Sequence, residues 1–508
     1  MALVEMENKG EQEELTVKGG ELLFCGTTAW DEVRGKESQE TNLVSPTRLR
    51  SLMGVHIRYV ASGCVSCHCV ALDVEGRCYT WGRNDKGQLG HGDTIQRDMP
   101  TIVSELSKHK VIRAGAGRSH TVLVTEDGLS LAFGWNKHGQ LGSGSVKNEV
   151  EPSPVCCLVS EFKTTACGGD FTVWLTPVEG ASILTAGLPQ YGQLGHGTDK
   201  EPPQTIASLA GETIVKVACG LNHTVAMDKN GYVYTWGFGG YGRLGHREQK
   251  DEWVPRRVDV FTKHNFLPPD AIVSAGSANS SCTAGGGQLY MWGKMKTSGD
   301  DWMYPKPLMD LSGWHLRCMD SGNMHHFVGA DSSCISWGHA KSGELGYGPK
   351  GQKSSASPKK VEILEGMHVF SVACGYAHSM VVVDRTNVAD RLEQLEVYDG
   401  KASKIAVPDE PDKGTYIAEK STRKSSAKKS ESSKKRKNSD SSSDSENKES
   451  SDYEGVKASG KGGGKSAGKS SAEMNGSGHG RGRPPSMTKN SPSTGEKGSG
   501  KRGRPRKS

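Results

Sequence analysis

The chain has 508 residues, with 64 Lys+Arg against 58 Asp+Glu and a formal net charge of +6. That charge is unevenly divided: residues 421–508 hold 22 basic and 9 acidic residues, a net of +13, leaving −7 for the first 420. No apolar run approaches the ~18 residues of a membrane span, and the acidic stretch Met1 to Gly20 has neither a secretory nor an Arg-rich transit pattern. Secreted, membrane-spanning and collagen-like classes are therefore excluded, and the 13 Cys, an odd number in a chain without a secretion signal, favour a reducing compartment over a disulfide framework.

In chain order, residues 1–20 read as a flexible acidic lead-in. The first strand then runs from Leu22 to Gly26 and ends in Phe24-Cys25-Gly26. The same aromatic-Gly ending returns at Trp81-Gly82, Phe133-Gly134, Trp236-Gly237, Trp292-Gly293 and Trp337-Gly338, with Ala186-Gly187 as a variant. These seven glycines are spaced 56, 52, 53, 50, 56 and 45 residues apart. After five of them comes a turn phrase: Gly87-Gln88-Leu89-Gly90, Gly139-Gln140-Leu141-Gly142, Gly192-Gln193-Leu194-Gly195, Gly242-Arg243-Leu244-Gly245 and Gly343-Glu344-Leu345-Gly346. A second glycine alternates with the first, at 63, 117, 168, 220, 276, 322 and 375, each followed by an apolar alternating strand. Asp127-Gly128 and Asn230-Gly231 are hairpin dipeptides between adjacent strands.

Each period of about 50 residues is thus several short strands, which cannot bury both faces alone. Radial stacking solves this and leaves no long open edge. The first strand lacks a preceding Gly-His strand, and the last period, Ala373 to Val383, lacks a following aromatic-Gly strand. The ends complement one another. The expected fold is all-β, a seven-bladed β-propeller over 21–386 closed by its N-terminal strand. Residues 387–407 then read as a short helix and linker, with Val388, Leu392 and Leu395 on one helix face.

From 408 to 508 the composition predicts a disordered basic tail: residues 421–508 contain 37 Ser or Gly and no Trp, Phe or Cys. Its chemistry is nevertheless specific. Arg481-Gly482-Arg483-Pro484 and Arg502-Gly503-Arg504-Pro505 share one phrase and resemble the AT-hook. Arginine is drawn into the negative potential of a narrow A·T minor groove, Gly lets the backbone reach the floor, and Pro keeps the chain extended. The guanine amino group obstructs that approach, so A·T-rich double-stranded DNA is the expected partner. Two copies on one tether raise effective concentration. Lys434-Lys435-Arg436-Lys437 reads as a nuclear import run, and Ser439, Ser441, Ser442, Ser443 and Ser445 lie among acids as candidate phosphorylation sites.

Two phrases imitate nucleotide sites. Gly237-Phe238-Gly239-Gly240-Tyr241-Gly242 matches G-x-G-x-x-G but sits between β elements, where a dinucleotide site needs a βαβ unit. Gly463 to Ser470 matches a P-loop but lies in Gly/Lys/Ser low-complexity sequence. Cys64 and Cys67 form a C-x-x-C pair with no second pair at zinc spacing, while Cys167, Cys219 and Cys374 share one repeat position, as small packing residues do. No metal, cofactor or catalytic constellation is expected.

On its aromatic-Gly, Gly-Gln-Leu-Gly and Ala-Cys-Gly-x-x-His phrases, the body over about 20–384 resembles the regulator of chromosome condensation family. Phe238 to His246 and Gly26-Thr27-Thr28-Ala29-Trp30-Asp31 resemble its second-type branch. The resemblance implies two readings of His68, His120, His223, His325 and His378. They either tie neighbouring blades together or rim the channel, where the family's exchange factors meet their GTPase. It also implies three functions. The first is a nuclear, chromatin-associated scaffold that binds a protein partner, such as a histone or a small GTPase, and anchors to DNA. The second is a guanine-nucleotide exchange factor of Ran, Rac or Ral type, although no wedge-like loop insertion is evident. The third is ultraviolet reception, as in the plant branch that repeats Gly-Trp-Arg-His-Thr; here Gly313-Trp314-His315 occurs once.

Overall fold

A computed structural model describes residues 18–30, 42–156, 161–178, 180–197, 204–262, 265–297 and 299–400. The chain divides into two compact units, Met1–Asp412 and Lys413–Ser508, and the second lies wholly outside the described residues.

The first unit is a seven-bladed β-propeller. Each of blades 1 to 6 is a four-stranded antiparallel sheet in simple chain order, spanning Ile57 to Ile102, Val111 to Pro154, Thr164 to Thr205, Ile214 to Arg257, Val273 to Pro307 and Leu316 to Lys360. The first strand of each blade touches the first strands of both neighbours around the ring, so these strands line the central channel. Blade 7 takes Val369–Cys374 and His378–Val383 from the end of the repeats and Glu21–Thr27 and Asn42–Leu49 from the beginning. Glu21–Thr27 pairs antiparallel with His378–Val383, Leu22 opposite Val382 and Gly26 opposite His378. The predicted closure is therefore present, made by two N-terminal strands. A short fifth strand, Val397–Tyr398, adds in parallel to the outer edge of Asn42–Leu49.

Strand periodicity explains how one sheet serves two neighbours. Alternate side chains leave opposite faces, so Leu22 and Phe24 pack against blade 1 with Trp81, while Leu23 and Cys25 pack against blade 6 with Phe327. Seven apolar clusters result, one at each junction between blades. Pro100, Pro152, Pro255, Pro305 and Pro358 all fall on outermost strands, where a missing N–H blunts a free edge. A single-turn helix, Ala389–Glu393, follows the last repeat, and Val388, Leu392 and Leu395 bury into the blade 6/7 junction. Among the described residues, no helix is long and apolar enough to cross a membrane.

Candidate functional site

The repeated histidines are the first polar feature the fold assembles. His68, His120, His223, His325 and His378 each open the second strand of a blade; Phe171 and Asn279 hold that place in blades 3 and 5. All five rings are buried. Four of the rings, those of His120, His223, His325 and His378, reach over a glycine that leaves room: a Cβ on Gly220 would stand 2.1 Å from Cε1 of His223. A second glycine closes the other side. Gly237 has φ +104°, and a Cβ there would meet His223 Cα at 2.8 Å.

Each ring turns toward the next blade. His68 Nε2 lies 2.8 Å from Thr121 Oγ1, His120 Nε2 3.0 Å from Thr172 Oγ1, His223 Nε2 2.9 Å from Ser280 Oγ and His325 Nε2 3.0 Å from Ser379 Oγ. His378 closes the circle onto blade 1, at 3.1 Å from Ser62 Oγ. The hydroxyls fix the proton positions. Thr121, Thr172, Ser280 and Ser379 each donate their one proton to a backbone carbonyl, of Gln88, Gln140, Arg243 and Glu344 at 2.7–2.9 Å. The hydroxyl oxygen must then accept from Nε2–H, which leaves a neutral ring with Nδ1 unprotonated; that of His68 lies 2.9 Å from Ser66 Oγ, while those of His120 and His223 have no partner. Burial agrees, pushing His68, His120 and His378 down to about 3 and lowering His223 and His325 too. The geometry is that of inter-blade ties. Sequence reasoning missed the hydroxyl partners, although His120-Thr121, His223-Thr224 and His378-Ser379 carry the signal.

The cysteines behave as packing residues. Cys64, Cys67, Cys69, Cys167, Cys219 and Cys374 are buried and unbridged, and burial pushes the thiols of Cys64 and Cys167 up to about 12. Among the described residues, no His/Cys/Asp/Glu group is set to hold a metal. Gly237 to Gly242 passes from a strand into a single 3-10 turn, with no helix for a pyrophosphate to sit on. Arg481 to Pro484, Arg502 to Pro505, Lys434 to Lys437, the serines 439–445 and the P-loop-like stretch all lie outside the described residues.

The described residues form a circle of seven sheets whose repeated histidines serve inter-blade bonding, a seven-bladed propeller built from repeats. The regulator of chromosome condensation (RCC1) repeat matches residues 75–124, 127–175, 182–227, 230–283 and 331–382, and a second model of that repeat matches 58–88, 111–140 and 214–243. The chain is 37% identical over 442 residues to the Protein RCC2 homolog of Xenopus laevis, spanning 78% of this chain and 85% of that protein. It is 32% identical over 332 residues to the ultraviolet-B receptor UVR8 of Arabidopsis thaliana, spanning 63% and 74%. The crystal structure of Prp20p from Saccharomyces cerevisiae superposes with a TM-score of 0.60 at 19% identity, over 74% of this chain and 94% of that one. The chain belongs to the RCC1 repeat family.

Proposed function

We propose that this protein is a nuclear, chromatin-associated scaffold whose propeller holds a protein partner while its tail grips A·T-rich duplex DNA. The observation that carries the reading is the joining of a closed propeller ring to a +13 segment bearing Arg-Gly-Arg-Pro twice. Arg481, Arg483, Arg502 and Arg504 enter the minor groove, Lys434 to Lys437 direct import, and phosphates at Ser439 to Ser445 weaken DNA contact by offsetting the positive charge. Fluorescence anisotropy of the full chain and a 1–420 truncation on A·T-rich and G·C-rich duplexes, with salt titration, tests it. Loss of A·T preference on truncation supports the anchor; binding explained by salt slope alone reduces the tail to a polycation.

The second reading is nucleotide exchange on a small GTPase. The yeast protein Prp20p is described by its binding to Gsp1p and histones, and this chain shares its fold. Accelerated nucleotide release from Ran, Rac or Ral types is the discriminating assay. Ultraviolet reception draws nothing from ring placement: among the described residues, tryptophans pair with Phe24, Phe162, Phe261 and histidines, and none with another tryptophan.

A further inference from the structure

Every blade described above has four antiparallel strands, so all seven innermost strands run the same way and begin at one mouth of the channel. Five of them begin with the same irregularity. The register slips between Ile57 and Tyr59, Val111 and Arg113, Ile214 and Lys216, Leu316 and Cys318, and Val369 and Ser371. Each slip is a bulge that re-aims two side chains at the strand's start. The pairs so placed are Arg58 with Tyr59, Ile112 with Arg113, Val215 with Lys216, Arg317 with Cys318 and Phe370 with Ser371. Cations and apolar groups alternate around one rim.

Among the described residues, Arg58, Arg113, Lys216 and Arg317 form no ion pair. Asp73 and Glu126 act on Arg58, and Asp331 on Arg317, only from a distance, and each of these acids bonds another partner: Asp73 Arg77, Glu126 Lys110 and Asp331 His315. Asp270 is within electrostatic range of Lys216 without pairing, and Asp320 lies farther along its strand. Three of the cations lean on the next blade's backbone, Arg58 on Val111 O at 2.6 Å, Lys216 on Ala271 O at 2.5 Å and Arg317 on Val369 O at 3.2 Å. Arg317 also bonds His368 Nδ1 and the Ala330 and Asp331 carbonyls, so its spare donor is Nε. Nε of Arg58 and Nε of Arg317 are buried with no acceptor. Arg113 is exposed; it bonds the adjoining Ile112 carbonyl at 2.9 Å and its guanidinium lies over the Tyr59 ring, 5.7 Å from the centroid. Burial, and after it the Arg113 charge, disfavour the cation of Arg58, against a smaller opposing pull from Asp73 and Glu126. Positive charge without a direct carboxylate partner, on a body of net −7, is a local feature that an anionic ligand would relieve.

The apolar members decide which anion. Val215 is 43% exposed, and Ile112, Tyr59 and Phe370 are partly so. A nucleic-acid backbone has nothing to bury against them, whereas an extended peptide offers acidic and apolar side chains at the same alternation. We propose that this channel mouth is a peptide-binding site for an acidic segment with interleaved apolar residues, contacted by Arg58, Arg113, Lys216 and Arg317. This rests on the reading that the propeller holds a protein partner and specifies the partner's chemistry.

The test uses the full chain and a fluorescent twelve-residue peptide of alternating Glu and Leu carrying a photo-crosslinker. Saturable binding is expected, with crosslinks within residues 58–59, 112–113, 215–216, 317–318 and 370–371. Arg113→Gln should weaken it about tenfold, as loss of a charge-assisted contact does. Lys216→Gln, which keeps its blade's other bonds, should do likewise, and equal urea midpoints establish that both variants fold. Crosslinks confined to the basic tail, unchanged affinity in both variants, or equal displacement by inorganic phosphate or an oligonucleotide overturn the proposal. A·T preference, measured on the same preparations, should be unaffected by either substitution, so failure of this site is distinguishable from failure of the DNA anchor.

Discussion

Glu21 and Arg385 stand 364 residues apart and are joined by an Arg385 Nε bond of 2.9 Å to Oε2 of Glu21. Arg48 takes the other carboxylate oxygen at 3.0 Å. The carboxylate belongs to the first strand, Arg48 to the second, and Arg385 to the segment leaving the last, so one buried charge cluster binds the three chain segments that close the ring. Its removal is the sharpest test of closure. Glu21→Ala leaves two guanidinium groups facing one another and should cost about 3–5 kcal/mol. Urea unfolding measures it, and a midpoint equal to wild type would show that apolar packing alone holds the ring.

Gly237 permits a second test. A side chain there would have to accept φ +104° and stand 2.5 Å from the Asn222 carbonyl. Gly237→Ala should destabilise by about 2 kcal/mol or more. Gly285, whose added Cβ would meet nothing, is the matched control.

The buried histidines predict acid sensitivity. Burial lowers His120 from 6.5 to about 3, so the unfolded chain takes up a proton that the folded chain refuses. Stability is then complete above pH 6.5 and is lost as pH falls toward 3. His120→Asn, the residue that blade 5 uses, should flatten that slope while weakening the fold at pH 8 through the lost tie to Thr172. Thermal unfolding at pH 8, 6 and 5 reads both effects; parallel curves for the two proteins would remove the linkage.

Asp320 predicts the opposite slope. Its carboxylate accepts the Cys374 N–H at 2.7 Å, and burial raises its pKa from 3.8 to about 7. The folded form holds a proton that the unfolded chain gives up, so stability is lost as pH rises between these values. Asp320→Asn should leave stability near pH 3.5 unchanged and raise it at pH 8 by about 2 kcal/mol. Wild type and variant separating on acidification instead would reverse the assignment.

The tail prediction is electrostatic and sequence-selective. Replacing Arg483 and Arg504 by Gln should abolish A·T preference while lowering the salt slope by about 2. Anisotropy on matched duplexes measures it; retained preference assigns selectivity elsewhere in the chain.

Seven alternating glycine anchors, complementary chain ends and a run of basic residues with two Arg-Gly-Arg-Pro phrases are local patterns. The sequence by itself therefore determined the blade count, the ring closure and the charge division between body and tail. It also placed Val388, Leu392 and Leu395 on one helical face. It did not show that Asn42–Leu49 would become the fourth strand of blade 7, because that segment lacks the repeat phrases. Nor could it aim the histidines: His68 meets Thr121 only because the next blade stacks at a fixed angle, bringing residues 53 apart within bonding distance. The meeting of Glu21 with Arg48 and Arg385 needs the circle to close. The cation rim needs bulges on five strands that share a direction. Strand identity follows from near neighbours in the chain, whereas these sites depend on which blade faces which, and only the assembled ring supplies that.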